Sequence, residues 1–396
     1  MTEWIECTLD KLGEIVGGAT PSTKCEDYYG GSIPWITPKD LSSFKGRYIT
    51  SGERNITEKG LASCSAQMMP KDAVLFTSRA PIGYVAIASQ SVCTNQGFKS
   101  IVVNEKADPL FVYYLLKYNK DAIEVMGSGT TFKEVSGKTM RAVKVHIPLD
   151  VSYQKRIAAV LDSLDTKIEN NERINDNLYA QAKATTKQWI SKSTGDYELL
   201  PLSDIASINP DTYSPKETWK YVNYLDTSSI TEGCIAEIQH ISPSSEKLPS
   251  RARRKIAPND IVFSTVRPNQ RHYGIISEPL PNMLGSTGFA VIRSKNPLVC
   301  NELIYLCLTE NEFIEKMQQL AEQSTSTFPS IKPSDLGVCE IPCPKDQSST
   351  SFTETLKSLF ALIAANQREN ISLSEIRDAL LPKLISGEID VSAVQL

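Results

Sequence analysis

Between Lys247 and Tyr273 the chain carries seven basic residues, Lys247, Arg251, Arg253, Arg254, Lys255, Arg267 and Arg271, against a single acid, Asp260. A run of arginines usually makes only a solvated face. Here it stands in a chain of 396 residues with a net charge of −4, where so lopsided a stretch is better explained by phosphates or base edges of nucleic acid. A second, more scattered basic set lies in the first half: Arg79, Lys99, Lys133, Lys138, Arg141 and Lys144. Arginine is the usual bidentate partner of guanine in the major groove, whereas phosphate contacts carry no sequence information. The overall acidity excludes a protein that holds nucleic acid by net charge alone, so partners are expected to supply part of the phosphate neutralisation.

Catalytic constellations are absent from the sequence. There is no Asn-Pro-Pro-Tyr/Phe, no FxGxG loop and no Walker lysine. The three histidines, His146, His240 and His272, show no triad or metal spacing. Gly17-Gly18-Ala19-Thr20-Pro21-Ser22 is a glycine-rich loop without the pattern of a phosphate cradle. The nine cysteines are irregularly spaced; Cys339 and Cys343, the closest pair, sit among apolar residues and prolines and read as small core residues. We therefore expect a non-catalytic chain with no metal and no cofactor of its own. The composition, 41% hydrophobic and 22% charged, fits a globular protein. No apolar run reaches the ~18 residues of a membrane span. Met1 to Asp10 lacks the basic start of a signal peptide, and a cytoplasmic location is expected.

These residues sit in two copies of one pattern. Leu164, Ile168, Asn171, Arg173, Asn175 and Leu178 recur 195 positions later as Leu359, Ile363, Asn366, Arg368, Asn370 and Leu373, and Ile190-Ser191 recurs as Ile385-Ser386. Looser matches join Leu9, Leu12 and Ile15 to Leu202, Ile205 and Ile208, Trp35-Ile36 and Asp40 to Tyr221-Val222 and Asp226, and Gly97-Phe98 to Gly288-Phe289. Pro70 to Leu75 matches Pro258 to Phe263, Arg79 then falls on Arg267, and Thr131-Phe132 falls on Thr327-Phe328. Arg79 and Arg267, kept by both copies, suit scaffold or phosphate. Arg251, Arg253, Arg254, Arg271 and His272 have no evident counterpart and are the candidates for base reading, with Arg253 as the test case.

The tightest repeat is a heptad seam. Positions 157, 161, 164, 168, 171, 175, 178, 182, 186 and 189 alternate spacings of three and four, with one slip near 182–186. Phe352, Leu356, Leu359, Ile363, Asn366, Asn370, Leu373 and Leu380 repeat it, and Pro382 should end or kink this second helix. The first helix would be on the order of 58 Å long. Asn171, Asn175, Asn366 and Asn370 sit within the seams, where a buried amide fixes register at a cost in stability. An antiparallel pairing of the two helices would relate the copies by a pseudo-two-fold and set the globular parts at opposite ends of a rod.

The expected fold class is α+β: two mixed α/β domains with many short strands, separated by two long antiparallel coiled-coil helices. The expected division is 1–150, a helix in 151–195, 196–345, and a second helix in 346–390, with a break at Ser193–Asp196. Ala73–Phe76 and Ile261–Phe263 read as buried strands, and Val143, Val145 and Ile147 show alternation, as do Val338 and Glu340 less cleanly. Phe111–Leu116 and Glu302–Leu308 read as short helices opened by Asp108-Pro109 and Asn296-Pro297.

Gly18-Ala19-Thr20-Pro21-Ser22, Tyr29 to Ile36, Asp40-Leu41 and Thr94-Asn95-Gln96-Gly97 together resemble the target-recognition domain of Type I restriction–modification specificity subunits, and Leu380 to Ile389 resembles that family's C-terminal helix end. The resemblance spans the chain. It implies two target-recognition domains, each reading half of a bipartite double-stranded DNA site, with the helices as spacer. It further implies a non-catalytic subunit that joins two methyltransferase subunits acting with S-adenosylmethionine. Restriction subunits using ATP and Mg can join as well. One departure is that the first helix lacks the Pro and Gly found near the end of the second. The competing reading is a two-headed coiled-coil scaffold that binds proteins and not DNA; net acidity favours it and the arginine run opposes it.

Overall fold

The computed structural model describes residues 2–42, 44–129, 133–192, 195–214, 216–323 and 328–394. The expected match of Thr131-Phe132 to Thr327-Phe328, and Ser193 and Thr194 of the expected break, lie outside the described residues, Phe328 excepted. The chain forms two compact units, Met1–Glu172 with Arg368–Leu396, and Arg173–Gln367. The boundary cuts both long helices, so each unit takes one globular portion and half of each helix.

In the first unit, strands pair in the order Gly13–Gly17, Lys99–Val103, Val74–Ser78, Ile82–Ala88, Tyr48–Ile49. The second unit repeats the first four places with Ala206–Ile208, Phe289–Ser294, Asp260–Ser264 and Tyr273–Ile276. A further sheet in each unit runs Asn55–Ile56, Tyr29–Ile36, Cys93–Thr94 and, correspondingly, Gln239–Ile241, Val222–Leu225, Met283–Ser286, the second copy adding Ala252–Lys255 at the edge. In both, the middle strand pairs antiparallel on one side and parallel on the other. An antiparallel pair closes each unit, Trp4–Thr8 with Lys144–Pro148 and Tyr197–Pro201 with Glu340–Pro344.

The central strands read as unbroken apolar runs because both faces are covered. Val74 and Phe76 enter one core with Phe111 and Leu115, while Ala73 and Leu75 enter another with Val16 and Phe98. Ile261 and Phe263 repeat the first placement, and Val262 the second. The covering helix Pro109–Tyr118 begins as expected: the Asp108 side chain accepts from Phe111 N, and Pro109 takes the first turn, where no donor is missed. Its counterpart begins later than Asn296-Pro297, at Asn301–Leu308, because the Asn296 side chain closes a local turn by accepting from Leu298 N.

The long helices are Val151–Lys192 and Thr350–Ile385. The seam positions are buried or half-buried along both. Within the first unit Asp165 meets Arg377 and Asn171 meets Asn370; within the second Asn175 meets Asn366 and Trp189 meets Ser349. Numbers rise on one helix as they fall on the other, so the pairing is antiparallel in each. Pro382 does not end the second helix, which continues to Ile385. Gly387, left-handed at φ 79, closes it, and a side chain there would collide with Trp4.

Candidate nucleic-acid interface

The arginine run of the second unit forms an edge strand, Ala252–Lys255, paired antiparallel with Met283–Ser286. A bulge between Ala252 and Arg254 puts Ala252 opposite Ser286 and Arg254 opposite Gly285. Ala252 is the residue that packs into the core, which leaves the charged residues around it at the rim. Arg251 is exposed, and its carbonyl accepts from Thr287 N. Arg253 donates from Nε to Ser250 O at 3.3 Å. Lys255 pairs with Glu217 at 2.7 Å and lies over the Trp219 ring.

Arg267 and Arg271 bracket a short turn, Pro268–Gln270, after the central strand of the other sheet. Both are left-handed, at φ 48 and 56, an uncommon state for residues with long side chains. Arg267 lies 4.9 Å over the Phe328 ring. Arg271 donates to Asn311 Oδ1 at 2.8 Å and to Glu232 Oε1 at 3.2 Å. Thr265 N donates to Gly288 O, so the turn carrying Arg267 and the loop next to Arg251 are neighbours. Arg271 points instead toward Glu232 and Asn311, away from that neighbourhood.

The first unit's basic residues read as scattered in the sequence, yet several are gathered. Glu134 pairs with Arg79 at 3.7 Å and with Lys99 at 3.5 Å, and Lys133 stands exposed next to it. A side chain at Gly137 would approach both Arg141 and Lys99, so Arg141 belongs to the same cluster. Lys144 is apart, held by Glu6 at 2.8 Å.

Two of the loop motifs also converge. Ala19 N donates to Thr94 O, Thr20 Oγ1 bonds Gln96 Oε1, and Trp35 Nε1 donates to Ala19 O at 3.0 Å. Gly18 must be glycine because any side chain would strike Thr94 and Asn95.

Strand register corrects the matching of the copies. Asp72 and Asn259 are both left-handed, at φ 68 and 62, and Ser78 N and Thr265 N donate to the carbonyls of Gly97 and Gly288. Both fix an offset of 187, one less than the match of Pro70–Leu75 to Pro258–Phe263. One residue of slip moves every side chain to the other face, and only the 187 register puts Val74 and Ile261 in equivalent cores. The partner of Arg267 is therefore Ala80, also φ 48 and also before a proline. Arg79 corresponds to Val266. Trp35, opposite Cys93, likewise corresponds to Tyr224, opposite Leu284, three residues on from the expected Tyr221. The inference that Arg79 and Arg267 are shared contacts loses its ground.

The helix asparagines do match. Asn171, 1% exposed, donates to Asn370 Oδ1 at 2.9 Å and to Glu369 Oε2 at 2.7 Å. In the second unit Asn366 donates to Asn175 Oδ1 at 2.8 Å. Asn370 and Asn175 then reach the carbonyls of Ile168 and Ile363, which are themselves repeat equivalents.

A polar cluster in the first unit escaped the sequence reading. Arg47, 6% exposed, pairs with Asp162 and Glu169 of the long helix and donates to Thr166. Burial pulls its guanidinium down, but Asp162 and Glu169 outweigh that and hold it above its ordinary range. It anchors the globular portion of its unit to the helix. The histidines serve local structure: His146 stacks on Trp4, His240 bonds Asn223, and His272 bonds Ile230 O. Burial pushes the Cys339 and Cys343 thiols up, as befits packed side chains.

A family model described as the Type I restriction modification DNA specificity domain matches residues 1–180. The chain is similar to the Type I restriction enzyme MjaIX specificity subunit of Methanocaldococcus jannaschii, at 32% identity over 98% of this chain and 94% of that one. It is similar to the EcoR124I/EcoR124II specificity subunit of Escherichia coli at 29% identity, over 40% of each. A solved Type I restriction–modification S subunit from M. genitalium shares the fold, with a TM-score of 0.60 at 17% identity, covering 97% of this chain and 96% of that one.

Proposed function

The chain belongs to the specificity subunits of Type I restriction–modification enzymes, and we propose that each of its globular units reads one half of a bipartite double-stranded DNA target while the long helices set the gap. The observation that carries this is one strand order built twice with different side chains on the same edge, joined through helices whose asparagine pairs repeat. Two copies of one scaffold with divergent rims suit the reading of two sequences. A scaffold that binds proteins only would have no use for Arg251, Arg253 and Arg254 on one rim.

The domain division of the notional repeat, 1–150, 151–195, 196–345 and 346–390, serves this reading as recognition domains and spacers. Arg79, Lys99 and Lys133 would face the DNA from one unit, and Arg251, Arg253, Arg254, Arg267 and Arg271 from the other. Asn171, Asn175, Asn366 and Asn370 would hold the spacer in register. Catalysis would lie in partners: two methyltransferase subunits with S-adenosylmethionine, and restriction subunits with ATP and Mg. A cytoplasmic location suits such an assembly. Among the described residues no helix is long and apolar enough to cross a membrane.

Methylation-sensitive sequencing of DNA from cells carrying the chain and its methyltransferase partner tests the reading. A split motif with two defined halves and a fixed gap is expected. Methylation without a split motif, or none that depends on this chain, would refute it.

A further inference from the structure

The Nε of Arg254 is buried and makes no hydrogen bond, and among the described residues no carboxylate pairs with this arginine. Two nearby cations are engaged: Lys255 with Glu217, and Arg293 with Asp260 and Asp211. Burial acts on Arg254 alone and unopposed, lowering its guanidinium below the ordinary range. A buried donor with no acceptor in the protein is one that water or an incoming ligand must satisfy. Arg254 lies opposite Gly285, where a side chain would press on Ile256 of the same edge and only touch the Arg254 Cβ.

The first unit keeps a single bridge at the place of this edge strand. Met69 bridges Val92 as Ile256 joins Met283, and in each unit the middle strand then fixes the next partners, Cys93 and Leu284. Two residues back from Met69 and Ile256 stand Gln67 and Arg254. Gln67 is exposed, and Thr94, at the place of Gly285, has a buried hydroxyl that also lacks a partner.

We infer that this edge position is the base-reading position of both units, with Arg254 reading a guanine and Gln67 an adenine in the major groove. The inference rests on the proposed function. Arginine pairs two acceptors of guanine, and glutamine pairs the donor and acceptor of adenine. What Arg254 and Gln67 share is a planar fork that can bond two atoms of one base edge at once, a geometry a single phosphate oxygen does not use. Arg253 is the poorer reader, since it sits at the bulge and spends its Nε on Ser250 O.

The test is selection from a randomised duplex library by the full chain in complex with its methyltransferase subunit. The wild type should select a split motif. Arg254→Gln should move one position of one half from guanine toward adenine, with a loss of roughly ten-fold or more for the original base, leaving the other half unchanged. Gln67→Ala should relax one adenine of the other half. Arg254→Lys should lose the guanine preference while keeping the salt dependence, and the thermal midpoint of each variant should match the wild type. An unchanged motif in Arg254→Gln and Arg254→Ala would overturn the inference while the function stands. So would full rescue by Arg254→Lys, which marks a phosphate contact. No split motif from the wild type would refute the function and this inference together.

Discussion

Asp165 accepts from Arg377 at 2.7 Å and so joins the two long helices inside the first unit. The same carboxylate accepts from Tyr114 at 2.8 Å and lies 4.0 Å from Arg47. Burial, then Asp165, pushes the Tyr114 phenol well above its ordinary range, so it stays a donor. At the repeat-equivalent place of the second unit, Phe360 stands for Asp165 and Ala182 for Arg377, and Phe360 packs with Tyr179 and Tyr305. One scaffold thus closes the same junction with ions in one copy and aromatic rings in the other. Asp165→Ala would take the shared acceptor from the buried Tyr114 hydroxyl and the half-buried Arg377 guanidinium and should destabilise the first unit by about 2 kcal/mol. Urea denaturation read through hydrogen exchange of first-unit amides measures this; a loss below about 1 kcal/mol would mean that water replaces the carboxylate.

How far the sequence revealed this arrangement depends on the element. The seam was legible because a helix preserves spacing, and asparagines 195 apart could be matched by counting. Strands do not forgive a miscount. Pro70 to Asp72 and Pro258 to Asp260 look alike in letters, but the left-handed residue is Asp72 in one and Asn259 in the other. Asp260 is then free to enter the strand and hold Arg293 through two bonds. The Arg79–Arg267 equivalence failed for that reason alone. The gathering of Arg79 and Lys99 around Glu134 could not be read, because it depends on a loop folding back across strand ends. The Arg47 cluster had a faint signal, an acid and an arginine in one helix pair whose repeats are phenylalanine and alanine.

The asparagine seam predicts a trade between stability and register. Asn171→Leu combined with Asn370→Leu removes one buried and one half-buried amide and should stabilise the first unit by about 1 kcal/mol in urea denaturation, at the expense of a defined gap in the methylated site. Asn171→Ala alone leaves the Asn370 carbonyl without this donor and Glu369 with Lys167 only, and should cost about 1 kcal/mol. The Asn171 bond, then Lys167, holds the Glu369 carboxyl below its ordinary range. Its folded value lies below its unfolded one, so the contribution is present above the unfolded value and fades as pH falls through the folded one. Acid should therefore weaken the Asn171–Glu369 bond, which backbone exchange of this stretch at pH 3 against pH 7 would show.

The spacer can be lengthened. A four-residue insertion between Leu178 and Ala182, matched by four residues after Ile363 in the second helix, adds about one turn and roughly 6 Å to the helices. At 3.4 Å per step, the gap in the methylated site should grow by roughly two base pairs with both half-sites intact. An insertion in the first helix only should lower stability, because it offsets the Asn175–Asn366 pair from the Trp189–Ser349 contact. A gap that ignores the matched insertion would mean that the helices do not measure distance.

Glu134 occupies, in the free protein, the position of an anion between Arg79 and Lys99. The three side chains are only partly exposed, and both distances, 3.7 and 3.5 Å, are those of loose pairs that a competing phosphate oxygen could displace. Displacing them costs the DNA complex the loss of Glu134's own contacts and leaves a carboxylate near the backbone phosphates, so Glu134 should weaken binding to every sequence alike. Glu134→Gln removes that opposition. Binding to random-sequence duplex should tighten by about ten-fold at low salt, and the slope of log affinity against log salt should steepen by about one, as one more cation becomes available to a phosphate. The ratio of specific to random-sequence affinity should stay the same, because the gain is blind to sequence while the base contacts are unchanged. Arg79→Gln in the same background should cancel the steeper slope. Should Glu134→Gln leave the slope unchanged, Arg79 and Lys99 do not face DNA, and the first unit's contacts must be sought on another surface.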